Sequence, residues 1–176
     1  MNLITRPAER DIPEYYLNYT NLADGNDLLE ALTNSRDLSV RLIQSIPSDK
    51  QDFAYANGKW SIKQVLSHII DSERVFAYRA LRFSRRDSTE LPGYEENDYA
   101  ENANAFGRHL NDIRDEYIAV RDSTMQLYRH MNDEMLDFKG IANKVNFTPR
   151  ILGWIIVGHN THHCNVIREK YGVNDN

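Results

Sequence analysis

The stretch from Phe106 to Met131 constrains the fold of this chain more than any other. Phe106, Leu110, Ile113, Tyr117, Val120, Thr124, Leu127 and Met131 follow one another in alternating steps of four and three, and only Thr124 interrupts the apolar run. A heptad spacing held over that length predicts a helix whose stripe packs against partner helices at a shallow angle, as in bundles and coiled coils.

Three further segments carry the same kind of periodicity. From about Asn26 to Ile46, the side chains of Leu28, Leu32, Leu42 and Ile46 fall on one face, Leu29 and Ile43 widen it, and Pro47 stops the helix. The next opens at "WSIKQVL", where Ser61 and Gln64 have the spacing of a capping box and Trp60 can staple to Val65. Its stripe is Ile62, Val65, Ile69, Phe76 and Phe83, with an end expected near Arg85. The last has Thr148 as cap, Pro149 at the first helical position, a staple from Phe147 to Leu152, and Gly172 as its stop after Tyr171. Only 8 Gly and 5 Pro in 176 residues agree with long helices. The expected fold is therefore all-α, an up-and-down four-helix bundle forming a single domain over residues 1–176, with no alternating strand pattern between its helices. Residues 86–100 and 132–147 are too long for minimal turns, and such linkers often form a mouth over a site.

Charge and composition exclude several function classes. A net charge of −5, with no basic run longer than Arg85-Arg86, argues against nucleic acid as a partner. The opening "MNLITRPAERDIPEYY" lacks the apolar core of a signal peptide, and no stretch approaches the roughly 18 apolar residues of a membrane span. The expectation is a cytoplasmic chain without a membrane partner. A single Cys164 rules out an internal disulfide and agrees with a reducing compartment.

The last helix carries "VGHNTHHCNVIREKY", with His159, His162 and His163 in five positions. At about 100° per residue, His159 lies at the centre of the apolar face made by Leu152, Ile155, Ile156, Val166 and Ile167. His163 falls about 40° to one side and His162 about 60° to the other, so periodicity does not choose between them. The pair His159 and His163 has the i,i+4 spacing that lets two imidazoles hold one metal ion, although buried histidines also bond each other or the backbone. For a third ligand the candidates are His68, His109 and His130, and each by itself reads as an ordinary histidine, solvated or partly buried. Cys164 lies about 100° around the helix from His163 and reads as a small packing residue.

Taken together, "KWSIKQVLSHIIDSERVFAYRAL", "LPGYEEN" and "GHNTHHCNVIREKY" resemble the DinB-like superfamily, in order and spacing, over about residues 25 to 171. The resemblance implies a four-helix bundle in which His68, His159 and His163 bind a divalent metal, with His162 matching an extra histidine that is not usually a ligand. Three neutral imidazoles suit Zn, Ni, Fe and Mn alike and leave a coordination position open, where a water or a thiol is acidified. The superfamily implies small-molecule substrates and enzymes that use a low-molecular-weight thiol cosubstrate, so a thiol-dependent S-transferase or a metal-dependent hydrolase is expected. The alternative is a non-catalytic metal-binding or stress-response protein that acts as an interaction module. Homodimers are expected from the same resemblance. Asp71 and His162 are candidates for orienting a ligand imidazole, and Glu95, Glu96 and Asp98 are candidates for bordering the mouth.

Overall fold

In the computed structural model, which describes residues 3–174, the chain runs α1 (Glu14–Leu22), α2 (Leu28–Ser45), α3 (Ile62–Ser84), α4 (Glu96–Asn102), α5 (Leu110–Arg129), α6 (Asp133–Leu136), β1 (Gly140–Ala142), β2 (Val145–Phe147) and α7 (Pro149–Tyr171). The single domain expected over residues 1–176 extends at each end onto two residues outside those described. The four long helices α2, α3, α5 and α7 are the expected bundle, and their ends follow the capping chemistry. Ser61 Oγ accepts the Gln64 amide while Gln64 Oε1 accepts the Ser61 amide, closing the capping box. Thr148 accepts the Ile151 amide, Pro149 opens α7, and Gly172 ends it in the left-handed region at φ 62°. No helix of the described residues is long and apolar enough to cross a membrane.

Side-chain pairings give the helix directions. Leu28 abuts Gly153 and Ser39 meets Asn160 and Cys164, so α2 and α7 run parallel. The Tyr171 hydroxyl donates to the Trp60 carbonyl and the His68 ring lies 4.7 Å from that of His163, so α3 runs against α7. Ile43 lies beside Ile113 and Arg36 pairs with Asp122, so α5 runs against α2. The directions are thus up, down, down, up: the four-helix bundle is as expected, but its helices do not alternate as in an up-and-down connection. Because α3 and α5 point the same way, residues 85–109 must return along the bundle. They do so with Leu91 bonded to Ile141 at one end, Tyr94 beside Ser72 midway, and the Ala100 carbonyl accepting from Gln64 at the other. That return path explains the length of the first linker.

Three local features depart from the sequence pattern. The stripe begins at Phe106, but α5 begins at Leu110: the returning chain turns through Asn104 at φ 49° and is extended at Arg108 and His109, which leaves Phe106 61% exposed. Farther along α5, Arg121 and Tyr128 are fully buried where the heptad placed Val120 and Leu127, because α2 and α3 both cover this helix and widen its buried face. The second linker contains a hairpin with Gly140 opposite Phe147, closed through Asn143 and Lys144, both left-handed at φ 49° and 63°. Leu91 adds a parallel bridge to Ala142, which ties the two linkers together.

Two apolar clusters fill the bundle, one around Leu32, Phe83, Tyr128 and Trp154, the other around Leu42, Ile69, Ile113 and Ile167. Between them every long helix contributes buried polar side chains: Ser35 and Ser39 from α2, Ser72 and Glu73 from α3, Arg121 and Thr124 from α5, His159 and Asn160 from α7. Buried polar groups are tolerated only when partnered, so this layer is where structure and function must be separated.

Candidate metal centre

His68 faces His159 and His163 across the α3–α7 contact. His68 Nε2 is 3.0 Å from His159 Nε2, which is 3.1 Å from His163 Nε2. A ligand nitrogen from each of the three lies within 4.8 Å of the other two. Nitrogens held at about 2.0–2.1 Å from one tetrahedral ion stand about 3.3 Å apart, so this donor set needs little adjustment to share one.

Burial makes these imidazoles good ligands. It pushes His68 down to about 4, helped by the charge of His162. It pushes His163 down to about 3, helped by His68 and His162, and His159 well below the ordinary histidine value. All three are therefore neutral at pH 7, the form that binds metal. The Trp60 ring packs 4.8 Å from His68, and Tyr19 and Phe76 pack 5.4 and 6.0 Å from His159, closing the cluster with aromatic surface.

Helix α1 is the part of this enclosure that carried no sequence signal. Its start has no side-chain cap and only Thr20 is buried along it. It forms because Gly158 lets the backbones of α1 and α7 touch: a Cβ at Gly158 would lie 1.8 Å from the Tyr19 carbonyl oxygen. The contact sets the Tyr19 ring over His159 and edge-on to His162 at 5.3 Å. His162 thus faces Tyr19, while His163 turns to His68.

The expected supporting carboxylate is not beside the cluster. Asp71 pairs with Arg74 at 3.5 Å on the outer side of α3. The residue next to His68 Nδ1 is Ser72, at 3.5 Å, and Ser72 Oγ in turn lies 2.8 Å from the Tyr94 hydroxyl. Ser72 is one turn after His68, a spacing visible in the sequence, whereas Tyr94 reaches it only through the returning linker. His109 and His130 are exposed at the two ends of α5. Cys164 is buried and meets Ser39 Oγ at 3.3 Å.

Two cavities flank the cluster. One of about 380 Å³ reaches His159 and is walled by Tyr16, Tyr19, Phe76, Arg79 and Tyr94, with Glu95 and Glu96 at its rim. The other, about 290 Å³, reaches His162 and His163 between Trp60 and Tyr171. A larger hollow of about 720 Å³ between the N-terminal segment and the start of α7 is lined by none of the histidines.

A helical bundle with three imidazoles gathered from two facing helices has the arrangement from which such folds can build a metal site. The sequence matches the DinB superfamily over residues 31–167, and the chain belongs to it. Among solved structures it is similar to YfiT from Bacillus subtilis, described as a probable metal-dependent hydrolase with an unusual four-helix bundle topology. The TM-score is 0.69 at 16% identity, covering 97% of this chain and 95% of that one. It is also similar to the DinB-like protein YjoA of Bacillus subtilis, with a TM-score of 0.59 at 18% identity over 84% of this chain and 92% of that one. A comparison with curated proteins finds no match.

Proposed function

We propose that the protein is a metal-dependent hydrolase of a small molecule, with His68, His159 and His163 as the ligands of one divalent ion. The observation that carries this reading is the convergence of three neutral imidazoles, two buried and His163 half-buried, with no acid among them. Three neutral donors leave the ion's charge undiminished and a position open, which supplies Lewis-acid activation of a small ligand such as water. The likeness to YfiT supports the same class.

The chain's own groups complete the site. Ser72, backed by Tyr94, orients His68 through Nδ1. Tyr16, Tyr19 and Phe76 keep bulk water from one side of His159, and burial holds the Tyr19 phenol protonated by raising it to about 12. Glu95 and Glu96, at the rim, are the only carboxylates among the described residues lining that cavity.

The test is metal content in protein purified without a histidine tag. His68→Ala, His159→Ala and His163→Ala are each expected to abolish stoichiometric retention, and His162→Ala to preserve it. Full retention in His68→Ala would remove the inter-helix site. Titrating small thiols into cobalt-loaded protein then separates hydrolysis from thiol transfer: a sulfur-to-cobalt charge-transfer band lost in His68→Ala would favour the transferase.

A further inference from the structure

The cavity beside His159 holds a second group that the metal reading does not use. Arg79 lies on α3, eleven residues after His68, and is 4% exposed. Among the described residues its only hydrogen bond is from Nη2 to the Pro92 carbonyl at 3.0 Å, and none of their carboxylates pairs with it. A guanidinium has five N–H donors, so one complete two-donor edge is left over. Burial lowers the pKa of Arg79, opposed only by the phenols of Tyr16 and Tyr94.

Arg121 shows the same side chain with its charge answered. It too is buried, but its Nε and Nη2 grip the two oxygens of Glu73 at 2.8 and 2.9 Å. A buried cation without such a partner is costly to maintain, and buried charged groups in clefts concentrate at functional sites. Glu95 and Glu96 line the cavity as well, but both are exposed and neither pairs with Arg79.

The geometry sets the reach of that ligand. The Phe76 ring centroid is 6.0 Å from the Arg79 guanidinium carbon and 6.0 Å from the His159 ring, so the two functional groups are at most roughly twice that distance apart. Tyr16, Tyr19 and Tyr94 complete an aromatic wall between them.

We infer that this cavity binds a small monocarboxylate, with the carboxylate seated on the free edge of Arg79 and the carbon skeleton lying along Phe76 toward His159. A planar two-donor edge matches a carboxylate. A single guanidinium facing two rim glutamates suits one negative charge better than the two of a phosphate monoester. As a description of the substrate, the inference rests on the hydrolase reading; as a binding site it stands on Arg79 alone.

The experiment uses metal-free protein, so that it does not depend on the ion. Hexanoate, its neutral isostere hexanamide, and hexyl phosphate are titrated by calorimetry into wild type, Arg79→Gln and Arg79→Lys. Wild type is expected to prefer hexanoate to hexanamide by about tenfold or more. Arg79→Gln erases that preference, and Arg79→Lys, with the charge but not the fork, keeps part of it. Equal binding of acid and amide, or a preference unchanged in Arg79→Gln, would show that Arg79 only braces Pro92. Tighter binding of hexyl phosphate than of hexanoate would overturn the carboxylate assignment. Should Arg79→Gln fail to fold, the ¹⁵Nε resonance of Arg79 in wild type decides: it shifts with hexanoate and not with hexanamide, and a stationary resonance sinks the proposal. Hexanoate preference without metal retention in purified protein removes the hydrolase reading and leaves this site, while retention without preference does the reverse.

Discussion

The polar layer that divides the core has two halves of opposite character, and both begin on the same stretch of α3. On the side toward α2 and α5, Glu73 and Arg121 hold each other through two bonds, and Arg121 Nη1 also donates to the Leu32 carbonyl and Ser35 Oγ, at 2.9 and 2.5 Å. Opposite charges and matched donors leave that half closed. On the side toward α7, three imidazoles bring their Nε2 atoms together, His159 lying 3.0 Å from His68 and 3.1 Å from His163, and no charged group stands among them. The ion pair spends its donors and acceptors on the fold, whereas the imidazoles gather uncharged donor atoms at one point, and the two halves should answer differently to substitution.

The largest expected effect tests that division directly. Glu73→Gln leaves the Arg121 charge buried and unanswered, and should cost about 3–5 kcal/mol of stability in urea unfolding. His68→Ala in metal-free protein removes a neutral group from a cluster of uncharged rings, and should cost under about 2 kcal/mol. The comparison breaks if the two variants lose similar stability, for the histidines would then be part of the scaffold.

What the sequence revealed follows the same line between local and non-local causes. The helices were legible because caps and stripes act within one or two turns: Ser61 with Gln64, Thr148 with Ile151, Phe76 and Phe83 on one face. The pair His159 and His163 was legible for the same reason. That His68 and His163, rather than His162, would be brought to His159 came only from the superfamily resemblance, since the crossing of α3 past α7 is what brings the rings together. Arg121 broke the heptad and would pass for a solvated residue, because the Glu73 that makes its burial tolerable lies 48 positions away. Helix α1 was invisible because its cause, Gly158, belongs to another helix. Asp71 was a poor guess for orienting His68, because Arg74, three residues on, claims its carboxylate.

Gly158 gives the next effect in size. The atom that a Cβ would meet is a backbone carbonyl, which has no rotamer to yield, so Gly158→Ala must push α1 off α7. Such overpacking costs about 1–3 kcal/mol. Hydrogen exchange should show α1 losing protection while α2, α3 and α5 keep theirs. Metal retained by a Gly158→Ala protein whose α1 has opened would show that α1 covers the site without building it; unchanged protection of α1 would show that the close contact does not hold the helix.

The smallest effect sharpens the contrast by pH. In the unfolded chain each imidazole takes up a proton near the reference value of about 6.5. In the folded, metal-free protein burial holds His68 neutral down to about 4 and His163 down to about 3. Below pH 6.5 the unfolded state therefore binds more protons than the folded one, and stability present above that pH is lost as the solution is acidified toward 4. Each imidazole that stays neutral contributes about 1.4 kcal/mol per pH unit to the slope. Urea midpoints taken between pH 7 and pH 4.5 should fall steeply in wild type, and less steeply in His68→Ala by roughly one proton's share. Bound metal keeps the imidazoles deprotonated for longer, so the holoprotein should stay on its plateau to lower pH and then release the ion over a narrow range. If wild type and His68→Ala give parallel curves, His68 is not held neutral by burial, and the contrast between the ion-paired half of the layer and its imidazole half fails on the point that pH can test.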